Sequence, residues 1–176
     1  EQVFSTTLFQ SLPQPSNLTI VDIGCGTGAI ARELARRPNV RTVLGIDPAP
    51  YLIEEAQRLA AADPHANKIN GKMEFRVGLG AALPVGDGIA DLAVIWTVLC
   101  HVPPAECGAI VKEARRILKP GGRLVLADND LSGWSVAIGP HDPLSAPLAW
   151  FVNAYIQEPW LCKKFPTMLS NAGLEP

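Results

Sequence analysis

Two hydrophobic periods alternate along this chain. Between residues 19 and 127, short apolar runs are separated by stretches whose apolar positions recur every three or four residues. The short runs read as strands: Thr19–Ile23, Thr42–Ile46, Met73–Val77, Leu92–Val98 and Arg123–Ala127. The fourth is nearly all apolar, as a strand covered on both faces should be. The periodic stretches read as helices. Gly28–Arg37 follows the first strand. Pro50 to about Ala62 follows the second, with proline in the first turn and an alanine-rich body. Pro103-Pro104-Ala105-Glu106 opens a third helix, whose Ile110, Val111, Ala114, Ile117 and Leu118 share one face. Lys119-Pro120-Gly121-Gly122 reads as its terminator. Residues 1–16 read as a short helix with a Pro-rich connector, and Asp63–Lys72 as a polar loop.

Alternating strands and helices with apolar strands predict an α/β fold. The expected form is a doubly wound, mainly parallel, Rossmann-like sheet with helices on both faces. Right-handed crossovers leave few topologies, and the expected order is 3-2-1-4-5. The winding then reverses between strands one and four, leaving a crevice outside their carboxyl ends. After strand five the texture changes. Residues 129–176 hold Trp134, Trp150, Phe151, Tyr155, Trp160 and Phe165, six of the eleven aromatics. Helical patterns run roughly over Pro147–Gln157 and Pro159–Asn171. So large an insert predicts a helical lid over the crevice, with aromatics offering rigid area to a flat ligand. The competing reading is that they pack the helices onto the sheet.

The length of 176 residues suits one domain with a real core. Hydrophobic residues make up 48% and charged residues 18%, so the chain is globular rather than disordered. A net charge of −2 argues against a nucleic-acid partner, because that affinity comes from neutralising phosphates. Arg32, Arg36, Arg37 and Arg41 read as a solvated helix face. Four cysteines, Cys25, Cys100, Cys107 and Cys162, form no C-x-x-C pair, which fits reduced thiols in a cytoplasmic protein. The longest apolar run, Ile89 to Val102, is too short to span a membrane and contains Asp91. No initiator Met opens the chain and no strand follows Gly173, so part of a longer polypeptide is expected.

The densest chemistry sits at residues 20–30, Ile-Val-Asp-Ile-Gly-Cys-Gly-Thr-Gly-Ala-Ile. An apolar run carrying Asp22 breaks into Gly24, Gly26 and Gly28, then resumes as a helix. Such a turn lets a ligand lie against backbone, where a Cβ would block it. Asp47, at the end of the second strand, follows about 20 residues on, where an acid binds a ribose hydroxyl. Loop and acid together read as an adenosine cofactor site. They leave nicotinamide and S-adenosylmethionine both open, since Gly24-Cys25-Gly26-Thr27-Gly28-Ala29 also fits G-x-G-x-x-G/A.

Val21-Asp22-Ile23-Gly24-Cys25-Gly26-Thr27-Gly28 resembles motif I of the class I S-adenosylmethionine-dependent methyltransferases. The resemblance continues through Gly45-Ile46-Asp47-Pro48, Gly78 to Pro84, Asp91 to Val102, and Leu118 to Leu124. It covers most of residues 17–130, in family order and spacing. It implies a cofactor-binding core over 17–130 and lid and acceptor-side helices over 131–176, within one domain. Against the resemblance, the last two strands of the family core are expected to be missing from this sequence. The resemblance implies that Asp22 orients the cofactor's ammonium end, that the loop carries its methionine part over backbone amides, and that Asp47 takes both ribose hydroxyls. It also implies that Pro48 lines the adenine and that Trp96 offers a backbone carbonyl. A carboxylate at position 22 suits an amine and would repel a pyrophosphate. The structural alternatives are a strand-end acid bonded to nearby amides for Asp22 and a helix cap for Asp47. Leu79 stands where the family often has an acid for the adenine amino group, leaving backbone near Leu79 and Gly80, with apolar contact, to hold the ring.

Methyl transfer is an in-line displacement that needs mainly positioning, with a base when the nucleophile is protonated. His101 is the catalytic candidate, set against a purely structural hydrogen bond; Asp128 and Asp130 stand second. Cys25 reads as a small loop filler presenting its amide. The segments Asp142-Pro143-Leu144 and Glu158-Pro159-Trp160-Leu161 resemble small-molecule methyltransferases of the ubiquinone-biosynthesis type. The implied partner is a small-molecule methyl acceptor, with no nucleic acid and no membrane, and a homodimer left open. The implied product is S-adenosylhomocysteine, and no metal is implied. A non-methylating relative that binds the same cofactor and an NAD(P)-dependent oxidoreductase are the alternatives carried forward.

Overall fold

A computed structural model describes residues 17–69, 71–132 and 143–175. The expected helix before residue 17 lies outside these residues, as do Trp134, His141 and Asp142. Five strands form one parallel sheet: β1 (Leu18–Ile23), β2 (Val40–Asp47), β3 (Met73–Val77), β4 (Ala90–Trp96) and β5 (Leu118–Ala127). Their order is β3-β2-β1-β4-β5, as the alternation of patterns predicts. The helices are α1 (Ala29–Ala35), α2 (Pro50–Ala61), α3 (Ala66–Ile69), α4 (Pro104–Ile117), α5 (Ser145–Tyr155) and α6 (Leu161–Asn171), with a 3-10 turn at Leu99–His101.

Alternate residues of the central strands serve two cores. Val21, Ile23, Ala93 and Ile95 face α4 through Ile110, Val111, Ala114 and Ile117. Ile20, Val43, Leu92 and Val94 face α1 through Ala31, Leu34 and Ala35. Burial on both faces is why these strands read as continuous apolar runs. Asp91 breaks one run because its carboxylate accepts the Thr19 amide at 2.8 Å and pairs with Lys119 at 2.8 Å. The acid thereby ties the amino ends of β1, β4 and β5 together.

Several element ends shift by one or two residues from the sequence reading, and three differences bear on the architecture. The polar loop contains the short α3. The fourth strand stops at Trp96, two residues early, because Thr97 turns the chain at φ 53°. Lys119-Pro120-Gly121-Gly122 does not lie between helix and strand but inside β5, where the register against β4 slips between Ala90 and Leu92. This is a bulge: Gly121 takes φ 76°, and a Cβ on Gly122 would lie 3.0 Å from the Ala90 carbonyl oxygen.

The two last helices differ in kind. α6 belongs to the core layer: Leu161 is buried, and Phe165, Met168 and Leu169 pack on the cluster beneath α4. Phe165 therefore packs, half-buried, on the core. In contrast, α5 buries no residue, and Trp150, Phe151 and Tyr155 stand exposed, with the Tyr155 ring touching the other two. The segment between these helices is anchored by the Gln157 amide, which donates to the Cys100 carbonyl at 2.9 Å.

Candidate functional site

The carboxyl ends of β1, β2 and β4 converge where the sheet order reverses. Gly24, Gly26 and Gly28 all take φ between 52° and 73°, a region closed to most side chains. Two of them are also boxed in. A Cβ on Gly24 would meet Val98 at 2.5 Å, and one on Gly28 would meet the Phe75 ring at 2.7 Å. The same ring excludes a side chain at Gly45. Gly26 differs: nothing lies within 4 Å of a Cβ built there. The loop is thus clamped at both ends and open at its middle, which is the shape of a cradle.

Its amides are largely spent inside the fold. Gly24 and Cys25 both donate to the Ile46 carbonyl, at 2.7 and 3.1 Å. Gly26 donates to Asp47 Oδ2 at 2.9 Å, and Gly28 to the Cys25 carbonyl at 2.8 Å. This corrects the expectation for Cys25, whose amide is not presented to a ligand. Its side chain is buried, and burial beside Asp22 and Asp47 pushes the thiol far above its ordinary range, so it is no nucleophile. A pyrophosphate needs free amide donors and positive charge; this loop offers instead a smooth surface beside two carboxylates.

Asp47 is 7% exposed at the tip of β2. Oδ2 accepts the Gly26 amide and Oδ1 the Ala49 amide, each at 2.9 Å. The cap-like role and the loop contact are therefore both present, and they fix the carboxylate in orientation. Each oxygen keeps a lone pair beyond the bonded amide. Asp22 lies beneath the loop and is 1% exposed. The Ala31 amide of α1 bonds to its carboxyl, while Oδ2 has no partner. Burial, with a further contribution from Asp47, raises its pKa to about 7 against the Ala31 bond. An orphaned buried carboxylate oxygen is costly unless a donor meets it.

Pro48 and Leu79 stand exposed at the ends of β2 and β3, Leu79 at 63%. The Gly78 amide donates to the Asp47 carbonyl at 3.0 Å, and the Leu79 carbonyl accepts from Ala82 at 3.0 Å. Gly80 sits against Ile110, whose carbons a Cβ would meet at 3.3 Å. Across the crevice, Trp96 ends β4 with its ring packed on the α1 side of the sheet. His101 is exposed on the 3-10 turn, its amide bonded to the Val98 carbonyl at 3.1 Å. Asp128, after β5, accepts the Cys100 amide at 3.0 Å and so holds that turn. Sequence reasoning missed Thr97, Val98 and Phe75. A β-branched residue at positive φ and two ordinary apolar side chains carry no local signal of their role.

A cavity of about 580 Å³ lies elsewhere, between α2, α3 and the amino end of β3, lined by Gln57, Ala60, Ile69 and Met73 among others. It is away from the carboxyl ends of the strands and carries no comparable set of polar groups. Among the described residues no cluster of metal-ligating side chains occurs, and no helix is long and apolar enough to cross a membrane.

Comparison with known proteins agrees with this geometry. A family described as a methyltransferase domain matches residues 20–122. A 2-methyl-6-phytyl-1,4-hydroquinone methyltransferase from Synechocystis is 34% identical over 114 residues, covering 65% of this chain and 33% of that protein. A demethylmenaquinone methyltransferase from Desulfitobacterium hafniense is 32% identical over 120 residues, covering 68% and 45%. A solved S-adenosylmethionine-dependent methyltransferase from Methanosarcina mazei superposes with a TM-score of 0.60 at 37% identity, covering 67% of this chain and 54% of that one. The chain spans a third to a half of the length of these curated relatives. The family match takes in both clamped and open glycines, the carboxylate at the tip of β2 and the turn after β4, and on that basis the chain belongs to the class I S-adenosylmethionine-dependent methyltransferases.

Proposed function

We propose that this domain binds S-adenosylmethionine in the cradle at Gly26 and supports transfer of its methyl group to a small organic acceptor. The observation that carries the reading is the chemistry of the loop. Its amides at positions 24, 25, 26 and 28 are engaged internally, while Asp22 keeps a buried oxygen without a partner. That set suits a ligand with an ammonium group and no phosphate, which distinguishes this cofactor from a nicotinamide dinucleotide. Asp47 would take the ribose hydroxyls on its remaining lone pairs. Pro48 and Leu79 would cover the two faces of the adenine, and Asp22 and the Trp96 carbonyl would lie toward the amine.

The bound cofactor supplies an electrophilic methyl on a sulfonium with a good leaving group. The chain's own contribution is to fix that methyl in line with the acceptor and to exclude water. His101, exposed on the turn held by Asp128, would accept a proton from the acceptor as the new bond forms. The two relatives named above are named for a hydroquinone and a demethylmenaquinone, which favours a ring of the quinone or hydroquinone class as acceptor. Calorimetry with S-adenosylmethionine, S-adenosylhomocysteine and NAD tests the reading. Binding of the first two with no heat from NAD is expected; the reverse pattern defeats it.

A further inference from the structure

Thr97 is the one β-branched residue among those described that sits at positive φ, at 53°. For such a side chain this is an outlier that only its surroundings can enforce. Two constraints meet there. The Thr97 amide completes the β4–β5 ladder by donating to the Ala127 carbonyl at 2.8 Å. One residue on, Val98 must fold back onto Gly24, close enough that a Cβ there would sit 2.5 Å away. A chain continuing in extended form would satisfy the first and lose the second. The left-handed turn satisfies both.

The ladder bond has a consequence for the peptide before Thr97. In a trans peptide the N–H and C=O point in opposite directions. Because the Thr97 N–H points to β5, the Trp96 C=O points to the other side of β4, the side of β1. β1 has already ended at Ile23, whose partner on β4 is Ile95. The carbonyl therefore faces the start of the glycine loop. The Thr97 hydroxyl donates to that same carbonyl at 2.7 Å and braces the turn from its own side chain.

We propose that Thr97 is a positioning residue for the cofactor's ammonium group, acting through the Trp96 carbonyl, which its amide bond to Ala127 turns toward the crevice and its hydroxyl-braced turn holds against the glycine loop. This rests on the cofactor reading above. The hydroxyl offsets the strain of a branched residue at positive φ. Serine keeps the hydroxyl, glycine needs no brace, and valine keeps the branch without the brace, so its turn relaxes.

The test uses two ligands that share the adenosine thioether. S-adenosylhomocysteine carries the amino-acid end, and 5′-methylthioadenosine lacks it. By calorimetry, T97S and T97G should bind both within about threefold of the wild type. T97V should lose about tenfold for S-adenosylhomocysteine, the scale of one charge-assisted hydrogen bond, with 5′-methylthioadenosine unchanged. T97A, which drops the hydroxyl without branched bulk, should shift the same way and serves if T97V does not fold. Wild-type affinity in T97V and T97A overturns the proposal. So does equal weakening of both ligands, or a loss in T97G as large as in T97V, which would mean that the hydroxyl itself meets ligand. A wild-type protein that binds NAD but not S-adenosylhomocysteine defeats the cofactor reading instead.

Discussion

Replacing Asp22 with asparagine should stabilise the unliganded protein at neutral pH while weakening its hold on cofactor. Burial raises the Asp22 carboxyl from its ordinary 3.8 to about 7, with Asp47 adding to the rise and the Ala31 amide opposing it. A raised carboxyl is protonated in the folded chain over a range where the unfolded chain has already ionised. Its contribution to stability is therefore full below about pH 4, declines as pH rises through the interval to about 7, and is flat above. At 1.36 kcal/mol per unit, the decline is of order 4 kcal/mol. Asparagine cannot ionise, yet its carbonyl can still accept the Ala31 amide, so D22N should lose this slope. Asp63, Asp91 and Glu113 are held below their ordinary values in both proteins, against the opposing effect of burial. Their acid-side losses should cancel in the difference. Urea unfolding of wild type and D22N between pH 4 and pH 8.5 gives that difference directly. It should rise in favour of D22N across the interval and level off above pH 7. Calorimetry at pH 8 should show D22N binding S-adenosylhomocysteine about tenfold more weakly, from loss of an ionic partner to the amine. A flat difference curve, or a D22N protein less stable than wild type at pH 8, refutes the burial argument.

The glycine loop predicts a contrast between neighbours. G26A meets no protein atom, so it should cost the fold only about 1 kcal/mol for positive φ, yet its methyl fills the cradle and should lower S-adenosylhomocysteine affinity at least tenfold by calorimetry. G28A drives a methyl into Phe75 and should lower the unfolding free energy, measured in urea, by about 2 to 3 kcal/mol. Asp47→Ala removes the carboxylate proposed to take both ribose hydroxyls and should weaken S-adenosylhomocysteine by about 100-fold, two charge-assisted hydrogen bonds in calorimetry; unchanged affinity would remove the sugar contact from the site. His101→Gln should leave cofactor affinity intact and cut methyl transfer to a phenolic acceptor by about 100-fold or more in a product assay; undiminished turnover would rule out its role as base.

Much of the site was legible because backbone demand and side-chain chemistry coincide in it. Gly24-Cys25-Gly26-Thr27-Gly28 announces a turn that needs positive φ at several positions, and Asp22 and Asp47 end strands that are otherwise apolar. Period and handedness narrowed the sheet to a few topologies, and the expected one, 3-2-1-4-5, is the order observed. The bulge at Lys119-Pro120-Gly121-Gly122 was not legible as strand. Proline and two glycines read locally as a break, and only pairing with β4 carries the strand across them. The aromatics after β5 shared one composition but met different fates, Phe165 packed on the core and Trp150 in solvent.

The sequence by itself determined where a glycine-rich loop lies, which acids flank it and that the strands and helices alternate. These depend on local conformational preference and on a hydrophobic period that any segment carries within itself. Tertiary structure alone decided which donors remain free for a ligand, which glycine is open rather than boxed in, and that Thr97 turns left-handed. Each of those depends on atoms brought together from distant segments, Ile46 against Cys25, Phe75 against Gly28, Ala127 against Thr97. No reading of neighbours along the chain contains them.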